Sequence, residues 1–324
     1  MIVVAGEALI DLVPQGTGAL ATLQPALGGG PYNTAVALGR LGSPTAFCSR
    51  TSRDTFGEAL LDGLRHSGVD VSTVQRGPEP TTLAVATLDT AGSAAYVFYV
   101  EGTADRLFTA PAELPPGTRA VSFGTCSLVL EPGATAYEEL LRTAASHGVF
   151  TALDPNVRAV LIDEPDAYRA RFRSWLPFVT LLKLSEDDAR WLGGTPQEWL
   201  AQGPTAVVVT RGGEGLTVYT RGGASQWAEG GHGDPGQRGA AEEYREYSVP
   251  GEKVHVVDTI GAGDTVNAAL LHGLSQQQAL SAPALAALGQ DGWTRLLHYA
   301  ARAAAITCSR AGAEPPYAAE VGPF

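Results

Sequence analysis

Along the chain, short apolar runs alternate with longer stretches in which apolar residues recur every three or four positions, the periodicities of strand and helix. Residues 2 to 13 read as a strand with Glu7, Leu9 and Asp11 on one face and Ala8, Ile10 and Leu12 on the other. Two acids on an otherwise apolar strand need partners, either ligand hydroxyls or a buried arginine. Asp54 is placed to cap a helix whose Phe56, Leu60, Leu61 and Leu64 form one stripe. Residues 81 to 100 read as a hairpin turning at Ala91, Gly92 and Ser93, an antiparallel segment suited to be a lid over a site on the main sheet. From about residue 119 strand and helix alternate: 119–124 with 134–147, 149–153 with 164–176, 178–184 with 185–192, then a strand at 205–210. That order predicts an α/β fold, a parallel sheet with helices on both faces. Val254, Val256 and Val257 read as strand, and Val266, Ala269, Leu270, Gly273 and Leu274 as helix, so residues 258–267 form a strand-turn-helix. Residues 222–246 read as an exposed loop or hairpin tip, and 283–289 and 291–309 as closing helices.

Composition narrows the chemistry. With 324 residues, 44% hydrophobic and 17% charged, the chain has ample length for a buried core and reads as one domain without linker or repeats. A formal charge of −12 disfavours nucleic acid and anionic membrane as partners. No apolar run reaches membrane-spanning length and the first residues lack a basic leader, so a cytoplasmic location is expected. Cys48, Cys126 and Cys308 stand far apart in no metal-binding spacing and read as reduced, small hydrophobes. Only Lys183 and Lys253 are lysines, and no P-loop occurs. Asparagine is rarer than usual: Asn33, Asn156 and Asn267 each follow a turn at the edge of a regular element.

In the turn Asp258-Thr259-Ile260-Gly261-Ala262-Gly263-Asp264, two glycines allow a sharp bend and leave amides facing outward at a helix start, a seat for an anion. Asp264 at its rim can either cap the helix or take a proton from a hydroxyl attacking a phosphate. Gly28-Gly29-Gly30-Pro31 forms a second glycine loop before a helix carrying Asn33, where backbone approaches something closely. Polar clusters fall after three successive strands, Asp154 to Arg158, Lys183 to Asp188 and Thr210 to Gly215, at the strand ends where open α/β sheets bind ligands. No G-x-G-x-x-G follows the first strand, which sets a dehydrogenase aside.

The Gly28–Asn33 loop and the Asp258–Asp264 turn resemble, in order and over nearly the whole chain, the two signatures of the ribokinase-like (PfkB-type) carbohydrate kinases. The stretches GEALIDLVP, FYVEGTADR (98–106), DPNVR (154–158) and ITCSRAGAEPP (306–316) are most similar to bacterial fructokinases. The resemblance implies a ribokinase-like fold over 1–324, with a small antiparallel β lid from about 8–27 and 81–109. It implies transfer of the ATP γ-phosphoryl group to a sugar hydroxymethyl oxygen, with Asp264 as base and Gly261, Ala262 and Gly263 as anion hole. Asp11, Gly29, Gly30, Asn33 and Arg158 would hold the sugar; Lys183, Ser185, Thr210, Gly212, Gly215 and Asn267 the nucleotide. Mg2+ would be organised through water by Asp188, in a Ser185-x-x-Asp188 version of the family's Asn-x-x-Glu, and a monovalent cation such as K+ by Asp258 and Ile260 with Gly312. Val100 stands where many fructokinase-like members carry a basic residue, and Val266 replaces a frequent phenylalanine.

Fructose is the expected acceptor; 2-keto-3-deoxygluconate, ribose, tagatose and nucleosides are the alternatives within the class, and a sugar sensor without turnover is the rival outside it. The partners expected are a small-molecule sugar and ATP, with a homodimer through the lid held open. The helix N-terminus favours the charged form of Asp264 and a bound phosphate opposes it, so the carboxylate is expected to be ionised when the site is free.

Overall fold

The computed structural model describes residues 1–16, 18, 20–88, 94–221 and 244–324. In chain order come β1 (Ile2–Ala5), β2 (Leu9–Gln15), β3 (Thr22–Gly28), α1 (Gly30–Arg40), β4 (Thr45–Cys48), β5 (Arg50–Ser52), α2 (Thr55–His66), β6 (Val69–Asp70), β7 (Gln75–Gly77), β8 (Leu83–Leu88) and β9 (Ala94–Tyr99). The second half holds β10 (Ala120–Gly124), α3 (Gly133–Ser146), β11 (Phe150–Asp154), α4 (Pro165–Trp175), β12 (Leu181–Ser185), α5 (Glu186–Leu192), α6 (Pro196–Gln202), β13 (Ala206–Thr210), β14 (Leu216–Arg221), β15 (Tyr244–Val249), α7 (Ala262–Gln276), α8 (Ala282–Ala286) and α9 (Gln290–Cys308).

The main sheet has the order β15-β14-β13-β12-β11-β10-β1-β4-β6. It is parallel from β13 to β6, and β14 and β15 add an antiparallel edge. Alternating strand residues feed two cores: Ile2 and Val4 meet the side of α1, α2, α7 and α9, while Val3 and Ala5 meet that of α3, α4 and α6. Burial on both faces is what near-continuous apolar strands such as Val207-Val208-Val209 require. Among the described residues no helix is long and apolar enough to cross a membrane.

A second sheet, β3-β2-β8-β9, forms the lid. Its cross-strand register sets Leu9, Asp11, Tyr96 and Phe98 on one face and Ile10, Leu12, Leu27, Leu83, Val97 and Tyr99 on the other.

Three expectations change. Residues 2–13 are two strands in two sheets, because the chain turns at Gly6 (φ 154°), where a Cβ would lie 2.2 Å from Pro31 Cγ. The lid sheet ends at Tyr99 and not near 109, since Phe108 returns to the body and stacks on Tyr137 at 4.1 Å. The three valines before the glycine turn form no strand: β15 stops before Pro250, and Val257 and Asp258 donate their amides to Cys308 O at 2.8 and 3.2 Å, leaving Val256 and Val257 more than half exposed. Of the segment read as a loop at 222–246, residues 222–243 and the hairpin turn at 91–93 lie outside the described residues, and 244–246 belong to β15.

Candidate active site

Two helix N-termini meet where the lid joins the body. Gly261 takes a left-handed conformation (φ 76°) and starts α7, and no side chain caps that turn. Asp264 therefore does not cap its helix. Its carboxylate crosses to α1 and accepts from Asn33 Nδ2 at 2.9 Å, buried at 7% exposure. Thr34 Oγ1 donates to Asp264 O at 3.4 Å and fastens the two helices together. Within the turn the Ala262 amide bends back to Thr259 O at 3.3 Å, so Ala262 offers less to an anion than the glycines beside it.

The glycine loop gains its meaning from its neighbours. A Cβ on Gly28 would lie 2.0 Å from Asp11 Oδ2, one on Gly29 2.8 Å from Glu7 O, and one on Gly30 2.4 Å from Thr125 Oγ1. Each missing side chain leaves space for a group that faces the same cavity or its wall. That cavity, about 230 Å3, is bounded by the loop, the polar face of the lid, the 3-10 turn at Thr125–Leu128, Asn156, Arg158 and the α7 turn.

Of the residues singled out in the sequence, Asp11, Gly29, Gly30, Asn33, Arg158, Ile260, Gly261, Gly263 and Asp264 line this cavity. Burial raises Asp11 to about 6, against the pull of Arg158. Burial likewise raises Asp264 from its ordinary value, opposed by the Asn33 hydrogen bond and by Lys183 and Arg158. Arg158 Nη1 is steadied by Asn156 Oδ1 at 2.7 Å.

Lys183 and Ser185 come from the end of β12, Thr210 from β13 beside it, paired with Ser185. Lys183 Nζ donates to Asp154 Oδ2 at 2.7 Å and lies 3.1 Å from where a Gly263 Cβ would stand, which puts a buried cation against the α7 turn. Burial works against that charge, and Asp154, Asp264 and Asp188 together raise the Lys183 pKa; burial pushes Asp154 up to about 6. Gly212 (φ 52°) and Gly215 (φ 107°) form the turn after β13, and a Cβ on Gly215 would meet Val249 O at 2.0 Å, a packing reason for that glycine.

Asn267 is turned into the body. It is 3% exposed, donates to Ser122 Oγ at 3.1 Å, and borders a void of about 10 Å3 shared with Asp154 and Asp264. One turn into α7, its side chain points inward to the sheet. Asp188 is also committed: its oxygens accept from Val157 N (2.7 Å), Ser185 N (3.0 Å) and Ser185 Oγ (2.7 Å), a capping box that ties the Asp154–Arg158 loop to α5. Asp258 accepts from the amides of Thr259, Ile260 and Gly312 at 2.7, 3.0 and 2.9 Å, so it builds the loop that brings Ile260 and Gly312 together.

Sequence reasoning gave Tyr96, Phe98 and Thr125 no place in the site and read Cys126 only as a small hydrophobe, yet all four stand on the cavity wall, and Glu7 and Asn156 entered it without a role. The scarcity of asparagine was the usable signal, since Asn33, Asn156 and Asn267 all border Asp264 or its cavity. Thr125 carried none, because its position depends on a backbone conformation that its neighbours in sequence do not advertise.

The pfkB family carbohydrate kinase model matches residues 1–319. A fructokinase of Rhizobium leguminosarum bv. trifolii is 38% identical over 306 residues, covering 90% of this chain and 85% of that protein. A fructokinase of Klebsiella pneumoniae is 30% identical, covering 87% and 89%. The crystal structure of a Xylella fastidiosa fructokinase with bound ATP superposes with a TM-score of 0.84 at 26% identity, covering 99% of this chain and 96% of that one. The two signature loops, the lid and the match along almost the whole length agree: this chain belongs to the pfkB family of carbohydrate kinases.

Proposed function

We propose that the protein is a fructokinase, moving the γ-phosphoryl group of ATP to a hydroxymethyl oxygen of fructose in the cavity between lid and body. One observation carries the reading: a buried carboxylate, Asp264, held by Asn33, stands between a sugar-facing cavity and an uncapped helix start with Lys183 at its side. The names of the relatives at 38% and 30% identity support fructose as the acceptor, and the ATP-bound relative supports the nucleotide.

The α7 turn and Lys183 receive the transferring phosphoryl group, supplying amide dipoles and one fixed positive charge where charge builds in the transition state. Asp11, Asn33 and Arg158 hold sugar hydroxyls, and Asp264 accepts the proton of the attacking one. Its burial makes it a stronger base than an exposed aspartate. Tyr96 and Phe98 on the lid exclude water, the competing acceptor. The nucleotide lies along the strand ends near Ser185, Thr210 and the Gly212–Gly215 turn.

Mg2+ fits this site as a phosphate-borne ion: among the described residues no three acidic, histidine or cysteine side chains are arranged to hold a metal by themselves, while Asp154 Oδ1 is buried without a hydrogen-bond partner and Asp188 is close by. It would neutralise phosphate charge. K+ would sit at the loop that Asp258 builds with Ile260 and Gly312. The apolar outer face of the lid, with Leu23, Leu27, Val97 and Tyr99 exposed, pairs with a second copy. A cytoplasmic location accords with the need for ATP.

An acceptor panel in a coupled ADP-release assay tests the reading: fructose should have the highest kcat/KM among fructose, ribose, tagatose, 2-keto-3-deoxygluconate and nucleosides. A higher value for any other acceptor reassigns the substrate. Sugar binding without ADP release from any acceptor would make the protein a sensor.

A further inference from the structure

Among the described residues, only Thr125, Asn156 and Gln278 are non-glycine residues with positive φ, at 62°, 38° and 56°. Asparagine tolerates the left-handed region, whereas for a β-branched residue such a conformation is a true outlier. Outliers of this kind persist where surrounding structure over-determines them, and they cluster at functional sites. Thr125 is such a case: it lies in a buried 3-10 turn at 5% exposure, on the wall of the Asp264 cavity.

Its placement supplies the second observation. The point where a Gly30 Cβ would stand is 2.4 Å from Thr125 Oγ1, 3.2 Å from Asn156 Nδ2 and 3.3 Å from Asp264 Oδ1. Three polar atoms from three separate elements thus converge on a spot left open by one glycine. Thr125 Oγ1 accepts from Asn156 Nδ2 at 3.4 Å, a long bond, and among the described residues its own hydroxyl proton has no protein acceptor. A donor therefore remains at the edge of the cavity beside the carboxylate.

We propose that Thr125 is a specificity-determining residue, whose hydroxyl donates a hydrogen bond to an oxygen of the acceptor sugar and so turns the attacking hydroxyl toward Asp264. The left-handed backbone aims that hydroxyl; in an ordinary strand or helical conformation the side chain would point elsewhere. Asn156 braces it and, through Oδ1, Arg158 as well. The assignment rests on the sugar-kinase reading of the site.

Thr125→Val, Thr125→Ser and Thr125→Gly separate this role from a structural one. Valine keeps the shape and removes the hydroxyl, serine keeps the hydroxyl, and glycine removes both while adopting φ 62° without strain. Each is assayed for steady-state kinetics with fructose, or with the best acceptor of the panel, for sugar affinity by calorimetry without ATP, and for Tm. Valine and glycine should lose about tenfold or more in kcat/KM for the sugar with the KM for ATP unchanged, and serine should stay within about threefold of wild type. Glycine should lose that activity without loss of Tm, which a packing role would not produce. If valine fails to fold, the glycine variant alone decides. A valine or glycine variant as active as the wild type would overturn the assignment alone, whereas a wild type that phosphorylates no sugar overturns the kinase reading and the assignment with it.

Discussion

Glu7 shows how a single residue can carry two demands. It is 1% exposed, its Oε2 accepts from Ser127 N at 2.9 Å, and its Oε1 has no hydrogen-bond partner among the described residues. Burial raises it from 4.5 to about 7, against its hydrogen bonds. A carboxylate whose folded pKa lies above its unfolded one favours folding fully below the unfolded value, and that contribution is lost as pH rises through the folded value. Glu7→Gln should therefore be nearly neutral for stability near pH 4.5 and stabilising above pH 7, by about 3 kcal/mol, because each tenfold weakening of the acid is worth roughly 1.4 kcal/mol. Thermal melts of both proteins across this range check it; a constant difference in Tm would contradict it. That two acids near the start need partners was visible from the alternation of residues 7 to 11, but their separate fates were not. Asp11 faces the cavity near Arg158, while Glu7 bonds a turn more than a hundred residues away, a contact that no local pattern encodes.

At the scale of elements, the lid hangs from the body by hydrogen bonds that local reasoning only half foresees. Asp54 was readable as a helix cap, and it does accept from Gly57 N at 2.8 Å. The same carboxylate also accepts from Thr81 N at 2.9 Å and Thr81 Oγ1 at 2.7 Å, and Thr81 leads into β8. Asp105 takes the hydroxyl of the next residue, Thr82. Asp54→Ala removes a cap, worth about 1 kcal/mol, together with one lid anchor. It should lower Tm by a few degrees and raise the KM for the sugar with the KM for ATP unchanged; equal rises in both would mean that the lid is anchored elsewhere. The parallel sheet and its helices were legible because buried strands and helical stripes have their own periods. The supposed strand at Val254 to Val257 was not, because β-branched composition predicts a strand only where a neighbour can pair with it, and here the amides go to the end of α9.

For the whole molecule, one face of the lid sheet lines the cavity, and the other is covered by the body, among the described residues, only at Ile10, Leu12 and Leu83. Asp11, Tyr96 and Phe98 face the cavity, and Leu23, Leu27, Val97 and Tyr99 face outward with 40%, 36%, 49% and 60% exposure. An outward face that apolar on a thin sheet calls for a cover. A protein with a lid-to-lid dimer should sediment as a dimer, and Val97→Lys combined with Tyr99→Lys should convert it to monomer; a wild type that is monomeric at micromolar concentration would remove the dimer from the account. The organisation of the site was legible at this scale through its two glycine loops, whose spacing in sequence gives no hint that Asn33 and Asp264 are hydrogen-bonded.

The most direct test concerns Asp264. Coupled ADP release at saturating fructose and ATP should show Asp264→Ala reduced about 10²- to 10⁴-fold in kcat, with sugar affinity nearly intact. The acid limb of the wild-type pH profile should fall above the ordinary aspartate value of 3.8, because burial raises this carboxylate. Undiminished turnover in Asp264→Ala would contradict the account.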